Sequence, residues 1–392
     1  MSWFHSMICQ ILKYKNSYLL NEIYRVVLYI KLLNIPINIP FVGKEEISVV
    51  TSILKDGTLT SSANQGGKHV QEFEKSVSSF VNSKYTIAVN SGTAALQAAL
   101  YALDIKHGDE VLIPSFTFVS TANSVLSTGA RPVFVDILKD NFTIDPEQLE
   151  KNITKKTKAI VPVHLYGNVA YLDKISEIAK KFNIPIIEDS AQSLGSTFKN
   201  KHTGTFFEMG CYSMYPAKVM TAGEGGFIVT NNKKLRDKLL MIRNHGMVKG
   251  YDTRILGLNL RLPEINAAIA KVQMKKLPKF LKARQKNAKL LTELLSKSNL
   301  TLPIQRKYEK VNWYLYTITS PKRNKLLKKL NEKGIGAASY YPIPVHKTPL
   351  YKSKTKLSIT EWAASQVISL PIHPKVTTKN IELISKSIFE IL

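Results

Sequence analysis

A chain of 392 residues is too long for one small core and suits one large domain with a smaller companion. Its 55 Lys and Arg against 29 Asp and Glu give a formal charge of +26. The lysines are scattered through every predicted helix, as in "LPKFLKARQKNAKLL" and "KRNKLLKKLNEKG", so a chain-wide bias explains them better than a nucleic-acid face, with some attraction for anionic substrates as a secondary effect.

Cys9 and Cys211 are too isolated for a disulfide framework or a cysteine-rich metal site, and fit a reducing, cytoplasmic setting. Residues 1–36 are apolar and basic. Lys13, Lys15, Glu22, Arg25 and Lys31 interrupt every candidate span and no small-residue cleavage site follows, so neither a membrane-spanning helix nor a signal peptide is expected. Apolar residues recurring every three to four positions (Ile8, Ile11, Leu12, then Leu19, Leu20, Ile23, Tyr24, Val27) fit an amphipathic helix that would lie on a membrane or a partner subunit. An added upstream segment from a different start site is the plain alternative.

From about residue 44 helices and strands alternate. "GKEEISVVTSILKDG" and "VQEFEKSVSSFVNSK" read as helices, "YTIAVN" as a strand, and "GTAALQAALYAL" as a helix. There follow strand "EVLIPS", helix "VSTANSVLSTG", strand "RPVFVDI", Pro-started helix "DPEQLEKNI", strand "KAIVPVHL", helix "YLDKISEIAKKFN" and strand "IPIIEDS". Short apolar strands separated by helices predict an α/β fold, a large domain whose mostly parallel central sheet is flanked by helices. A lysine-rich helical region then precedes "VNWYLYTITS", "KRNKLLKKLNEKG", "AASYYPIPV" and a last helix in "TTKNIELISKSIFEIL", a smaller C-terminal α+β domain. The expected divisions are an extension at 1–36, a large domain at 37–262, a connecting helical region at 263–298 and a small domain at 299–392.

In such sheets ligands sit beyond the carboxyl ends of the strands. "IPIIEDS" ends there in Glu188, Asp189 and Ser190, and "YTIAVNSGTAAL" leads through Asn90, Ser91, Gly92 and Thr93 into an alanine-rich helix, whose free first-turn N–H groups could seat a phosphate. An ordinary helix cap explains each of these alone. "SMYPAKVMTAGEGGFIVTNN" adds Lys218 ahead of Gly223, Gly225 and Gly226. Held near a buried cation, such a lysine would have a lowered pKa and an amine able to form an imine. A phosphate seat, an acid for a ring nitrogen and a nucleophilic lysine together describe a site for pyridoxal 5'-phosphate, and Phe116 or Phe118 in "PSFTFVST" would cover the ring.

With these blocks assembled, the sequence resembles the DegT/StrS-type sugar aminotransferases, of the aspartate-aminotransferase-like superfamily, from about Ile39 onward. The resemblance is carried by "TIAVNSGTAALQAAL", "GDEVLIPSFTFVSTANSVLSTGARPVFVDI", "AIVPVHLYGN", "IIEDSAQSLGSTFKNKHTGT", "CYSMYPAKVMTAGEGGFIVTNN", "IRNHG", "LGLNLRLPEINAAIAKVQ", "YYPIPVHKTPLY" and "SLPIHP". It implies Lys218 as the imine-forming lysine and Asp189 as the partner of the pyridine nitrogen. It further implies Gln192 on the ring hydroxyl, Gly92, Thr93 and Ser213 on the phosphate, and Phe118 stacked on the ring. His164 falls in the active-site strand, with a satisfied core histidine as the rival reading. A homodimer is implied, with Asn259 and Arg261 reaching the neighbour's phosphate, and His346 and Tyr341 look like substrate-side residues. The implied reaction takes an amino group from L-glutamate to a nucleotide-linked keto sugar, giving an amino sugar and 2-oxoglutarate.

Two stretches depart from the family pattern: Ala170 and Tyr171 in "NVAYLDKI", and the lengthened "TSSANQGGKHVQEFE". Within the family the rival activity is sugar 3-dehydration, which uses histidine in place of the lysine and is disfavoured by Lys218. The rival from another class is a non-catalytic regulatory or membrane-associated binding protein. The three glycines after Lys218 are read as room for the backbone to pass close to cofactor.

Overall fold

The computed structural model describes residues 34–392, so the amphipathic helix expected near the N-terminus lies outside the described residues. Just after it, Ile35 forms a parallel bridge with Ile335 and is buried in the C-terminal core, so residues 35 and 36 already belong to the body of the protein.

The central sheet is built from β1 (Tyr85–Val89), β2 (Glu110–Pro114), β3 (Arg131–Val135), β4 (Thr157–Ile160), β5 (Ile187–Asp189), β8 (Met209–Ser213) and β9 (Gly226–Thr230). Two ladders, β1-β9-β8-β5 and β3-β2-β4, are joined by parallel bridges Ile160–Ile186 and Val163–Asp189 into one surface. Strand β9 alone runs antiparallel to both of its neighbours. Residues alternate between the two faces, as a pleated strand requires. Ile87, Val89, Cys211 and Ile228 enter one core with Ala95, Ala98 and Ala99 of α3 (Gly92–Ala102). Ala88, Tyr212, Phe227 and Val229 enter another with α2 (Lys68–Val81) and the first half of α8 (Glu264–Leu295).

Local sequence explains the helices. In α1 (Lys44–Asp56) Glu46 reaches back to the Gly43 N–H at 2.8 Å, and Gly57 closes the helix in the left-handed conformation. In α2, Val70, Phe73, Val77 and Val81 recur at helical spacing and all are buried. Helices α4 (Ser120–Leu126), α5 (Pro146–Lys151), α6 (Leu172–Phe182) and α7 (Lys233–Arg243) complete the cover. A small β6–β7 hairpin (Thr197–Phe198, Lys201–His202) takes β10 (Glu309–Lys310) as a third strand.

Helix α8, 32 residues long, feeds two cores: Ala267, Ala270, Met274 and Leu277 face the sheet, whereas Ala288, Leu291 and Leu295 face the C-terminal elements. Those elements are β11 (Tyr316–Thr319) paired antiparallel with β12 (Val367–Leu370), flanked by α9 (Arg323–Glu332) and α11 (Thr378–Ile391). Helix α10 (Ser358–Gln366) packs instead against Phe116, Phe142 and Tyr166. No helix of the described residues is long and apolar enough to cross a membrane.

Candidate active site

Strand β5 ends at Asp189, which pairs in register with Cys211 of β8. Its carboxylate is buried: Oδ2 accepts from the Thr121 hydroxyl at 2.8 Å and Oδ1 from the Ala191 N–H at 3.2 Å. Burial pushes the carboxyl pKa up, while the Thr121 and Ala191 donors and the Lys218 charge act against that rise. Lys218 lies in the loop leaving β8, folded back by bonds from the Met214 N–H to Gly225 O (2.8 Å) and from the Ala222 N–H to Met214 O (3.0 Å). Desolvation of its ammonium pushes the pKa down to about 8, with Asp189 opposing. An amine with that value is unprotonated in a useful fraction near neutral pH, which a surface lysine is not.

Beside them, α3 begins at a Ser91 cap whose Oγ accepts from the Ala94 N–H at 3.0 Å. The Gly92 and Thr93 amides belong to the first turn, which has no carbonyl partners within the helix. A Cβ on Gly92 would lie 2.7 Å from Ser213 Cβ, so only glycine lets the helix start approach the end of β8 this closely. Gly92, Thr93 and Ser213 thus share one corner, with the Thr93 hydroxyl donating to Ser120 Oγ at 2.8 Å. At Gly226 a Cβ would fall 2.4 Å from Ser91 O, so that glycine is required by packing of β9 against the helix cap rather than by cofactor.

The two phenylalanines of "PSFTFVST" part company: Phe116 is fully buried, whereas Phe118 is 53% exposed, with its ring 6.0 Å from that of Tyr341. Gln192 is held at both ends, accepting from the Tyr166 N–H at 2.8 Å and donating from Nε2 to the Tyr341 hydroxyl at 3.2 Å. That leaves one Nε2 N–H for a ligand.

Two expected site histidines have both ring nitrogens bonded within the protein. His164 is 0% exposed; Nδ1 accepts from the Ala170 N–H at 3.1 Å, so Nε2 carries the proton and donates to Glu188 Oε2 at 3.1 Å. With both nitrogens spent on protein, it supports the Glu188 side of the sheet and is not placed to exchange protons with substrate. His346 is likewise 0% exposed, bonded through Nδ1 to Ser115 Oγ at 2.6 Å and through Nε2 to Glu361 at 3.3 Å, so it fastens its 3-10 turn to the end of β2 and to α10. Tyr341 does line the site through Gln192 and Phe118. Arg261 bonds Asn244 Oδ1 at 2.7 Å and bridges Val89, and the Asn259 carbonyl accepts from Asn90 at 3.2 Å, which sets both in the strand-like segment beside the end of β1.

Thr121, Tyr314, Arg284 and Asn38 went unread in the sequence. Thr121 faces Asp189 from α4, and the Tyr314 ring stands 4.8 Å from Lys218 Nζ. For Thr121 a signal existed, its place in the first turn after "PSFTFVS"; the other three come from distant segments and left none.

Comparison with known proteins bears on this arrangement. A model of the DegT/DnrJ/EryC1/StrS aminotransferase family matches residues 40–389. A UDP-2-acetamido-2-deoxy-3-oxo-D-glucuronate aminotransferase of Pseudomonas aeruginosa is 38% identical over 81% of this chain and 89% of its own. A pleiotropic regulatory protein of Geobacillus stearothermophilus is 37% identical over 86% of this chain and 92% of its own. The crystal structure of NtdA from Bacillus subtilis with bound cofactor PMP is similar with a TM-score of 0.81 and 33% identity, covering 88% of this chain and 81% of that one.

Proposed function

The chain belongs to the DegT/DnrJ/EryC1/StrS aminotransferase family, and from that premise we propose that it moves an amino group from L-glutamate to a keto sugar carried on a nucleotide, with pyridoxal 5'-phosphate as cofactor. The observation that carries this reading is the pairing of Lys218, its pKa lowered to about 8, with the buried carboxylate of Asp189 at the carboxyl ends of the strands.

The residues present fit the cofactor. Gly92 and Thr93 amides and the Ser213 hydroxyl form a corner that a Cβ on Gly92 would fill, suited to a phosphate. The exposed face of Phe118 is available to cover a flat ring, and the free N–H of Gln192 suits a ring oxygen. When bound, the cofactor supplies an electron sink for breaking the C–H bond of the amino donor. Asp189, its carboxylate holding two donors, would be the residue that keeps the cofactor's pyridine nitrogen protonated. Lys218 Nζ, when unprotonated, would be the nucleophile that holds the cofactor's carbonyl carbon, with loss of water, and as a free amine would hold and return the proton taken from the donor carbon.

The reading includes a homodimer in which Asn259 and Arg261 serve the neighbour's phosphate corner; the exposed Asn259 and its exposed neighbour loop, with Tyr251 99% exposed, support it. A cytoplasmic setting accords with the free, buried Cys211 thiol. The decisive experiment is an absorption spectrum of purified protein with pyridoxal phosphate, before and after L-glutamate. A visible band that glutamate bleaches, lost in Lys218→Ala with circular dichroism unchanged, is expected; a band of equal strength in that variant refutes the assignment of Lys218.

A further inference from the structure

Lys218 Nζ stands 4.8 Å from the centre of the Tyr314 ring, a range at which the negative face of an aromatic ring attracts a cation. Tyr314 arrives from the segment between β10 and β11, almost a hundred residues along the chain. Ring and lysine are nevertheless fastened to one group. Arg284, buried on α8, donates from Nη1 to the carbonyls of Trp313 (3.1 Å) and Tyr314 (3.0 Å) and from Nη2 to Asn38 Oδ1 at 3.2 Å. Asn38 donates in turn to the carbonyl of Pro216 at 3.0 Å, in the loop that carries Lys218.

Arg284 has no carboxylate partner among the described residues, and burial pushes its pKa down to about 10. A buried cation without a counter-ion destabilises a fold that an apolar side chain would serve better. What the guanidinium secures is the spacing between the peptide bearing the ring and the peptide bearing the amine.

We propose that the Tyr314 ring is the resting place of the Lys218 amine whenever that amine is not covalently engaged, and that Arg284 and Asn38 hold ring and lysine in register. The proposal rests on the assignment of Lys218 made above. In each turnover an imine-forming lysine is displaced by the donor's amine and must return. A lysine side chain with four rotatable bonds otherwise scatters over many rotamers; a ring beside the site confines it. Tyr314 acts through Lys218 and is a positioning residue. Its hydroxyl is not required, so phenylalanine preserves the function and leucine does not.

The test uses full-length protein without cofactor, treated briefly with limiting acetic anhydride, and reads acetylation of Lys218 against exposed Lys289 by peptide mass spectrometry. Tyr314→Leu is expected to acetylate Lys218 about three- to tenfold faster relative to Lys289, the factor a partly desolvated cation–aromatic contact is worth, with Tyr314→Phe near wild type. On mixing with pyridoxal phosphate, the visible band of the leucine variant should grow several-fold more slowly, again with phenylalanine restoring it. General loosening of the fold would also speed acetylation and slow band growth, so the discriminating readouts are an unchanged urea-unfolding midpoint in the leucine variant and restoration of both rates by phenylalanine. Asn38→Ala touches neither ring nor amine and is expected, like Tyr314→Leu, to speed acetylation and slow band growth, so it carries the test should Tyr314→Leu fail to fold. Rates within twofold of wild type in Tyr314→Leu and Asn38→Ala, or phenylalanine behaving as leucine, overturn the proposal. If no protein forms a band, wild type included, the assignment of Lys218 fails instead, and the acetylation ratio still decides the ring contact.

Discussion

Asp189→Asn is expected to lower the pKa of Lys218 and to slow amino transfer, two effects with one origin. The lysine titrates at about 8 where an exposed one would titrate at 10.5, because desolvation outweighs the attraction of the neighbouring carboxylate. That depression corresponds to roughly 3 kcal/mol against the charged amine, net of what Asp189 returns. A neighbouring opposite charge in a partly desolvated site contributes roughly 1–3 kcal/mol, or about one to two pKa units. Removing it while keeping the shape of the side chain leaves desolvation unopposed, so the midpoint should fall to about 6–7. The assay is the pH dependence of Lys218 acetylation in cofactor-free protein, with Lys289 as internal reference. In the loaded enzyme the same variant loses the partner of the pyridine nitrogen, and kcat should drop by about 10² or more. A midpoint that rises or stays at about 8 would refute the electrostatic account, and an unchanged kcat would reduce Asp189 to a strand-end structural acid.

Gly92→Ala sets a Cβ 2.7 Å from Ser213 Cβ and should weaken retention of pyridoxal phosphate about tenfold or more, measured by equilibrium dialysis, because the corner formed by α3 and β8 must open. His346→Ala breaks the bonds to Ser115 and Glu361 and should cost about 1–3 kcal/mol in urea unfolding while leaving KM for the sugar within about twofold; a large rise in KM would restore it to the substrate side. His373, buried and bonded through Nε2 to Pro36 O, has its pKa pushed down to about 4, chiefly by burial. The unfolded chain takes the proton first, so this contribution is complete above pH 6.5 and is lost as pH falls toward 4, at most about 3 kcal/mol. His373→Gln should flatten that part of the pH–stability curve.

The candidate lysine, the strand-end acid and the proposed phosphate corner were legible because each is encoded within a few consecutive residues. A strand leading through Ser91 and Gly92 into an alanine-rich helix specifies its own geometry, and the acid follows from where β5 stops. The antiparallel course of β9 was not legible, since "GFIVT" carries the same apolar pattern in either direction and only pairing with β1 and β8 decides it. The bonding of the two histidines was hidden for a related reason. A histidine beside a strand end reads as reactive until its neighbours are known, and those neighbours, Glu188 and Ala170 for His164, Ser115 and Glu361 for His346, arrive through the fold.

The two phenylalanines show where this boundary falls. Phe116 and Phe118 would share a face if β2 continued, but the strand stops at Pro114 and the chain turns into α4, burying the first ring and exposing the second. Choice between them therefore depended on resemblance to relatives and not on periodicity. The same division separates Lys218 from the residues that face its amine or hold the peptides around it. The candidate nucleophile is announced by its local glycine-rich setting, whereas Asp189 and Tyr314, which face it, and Arg284 and Asn38, which hold the neighbouring peptides, come from a strand end, a C-terminal loop, a long helix and the first described segment. Local sequence specifies which group reacts; its pKa and its position depend on contacts made only once the distant parts of the chain have packed.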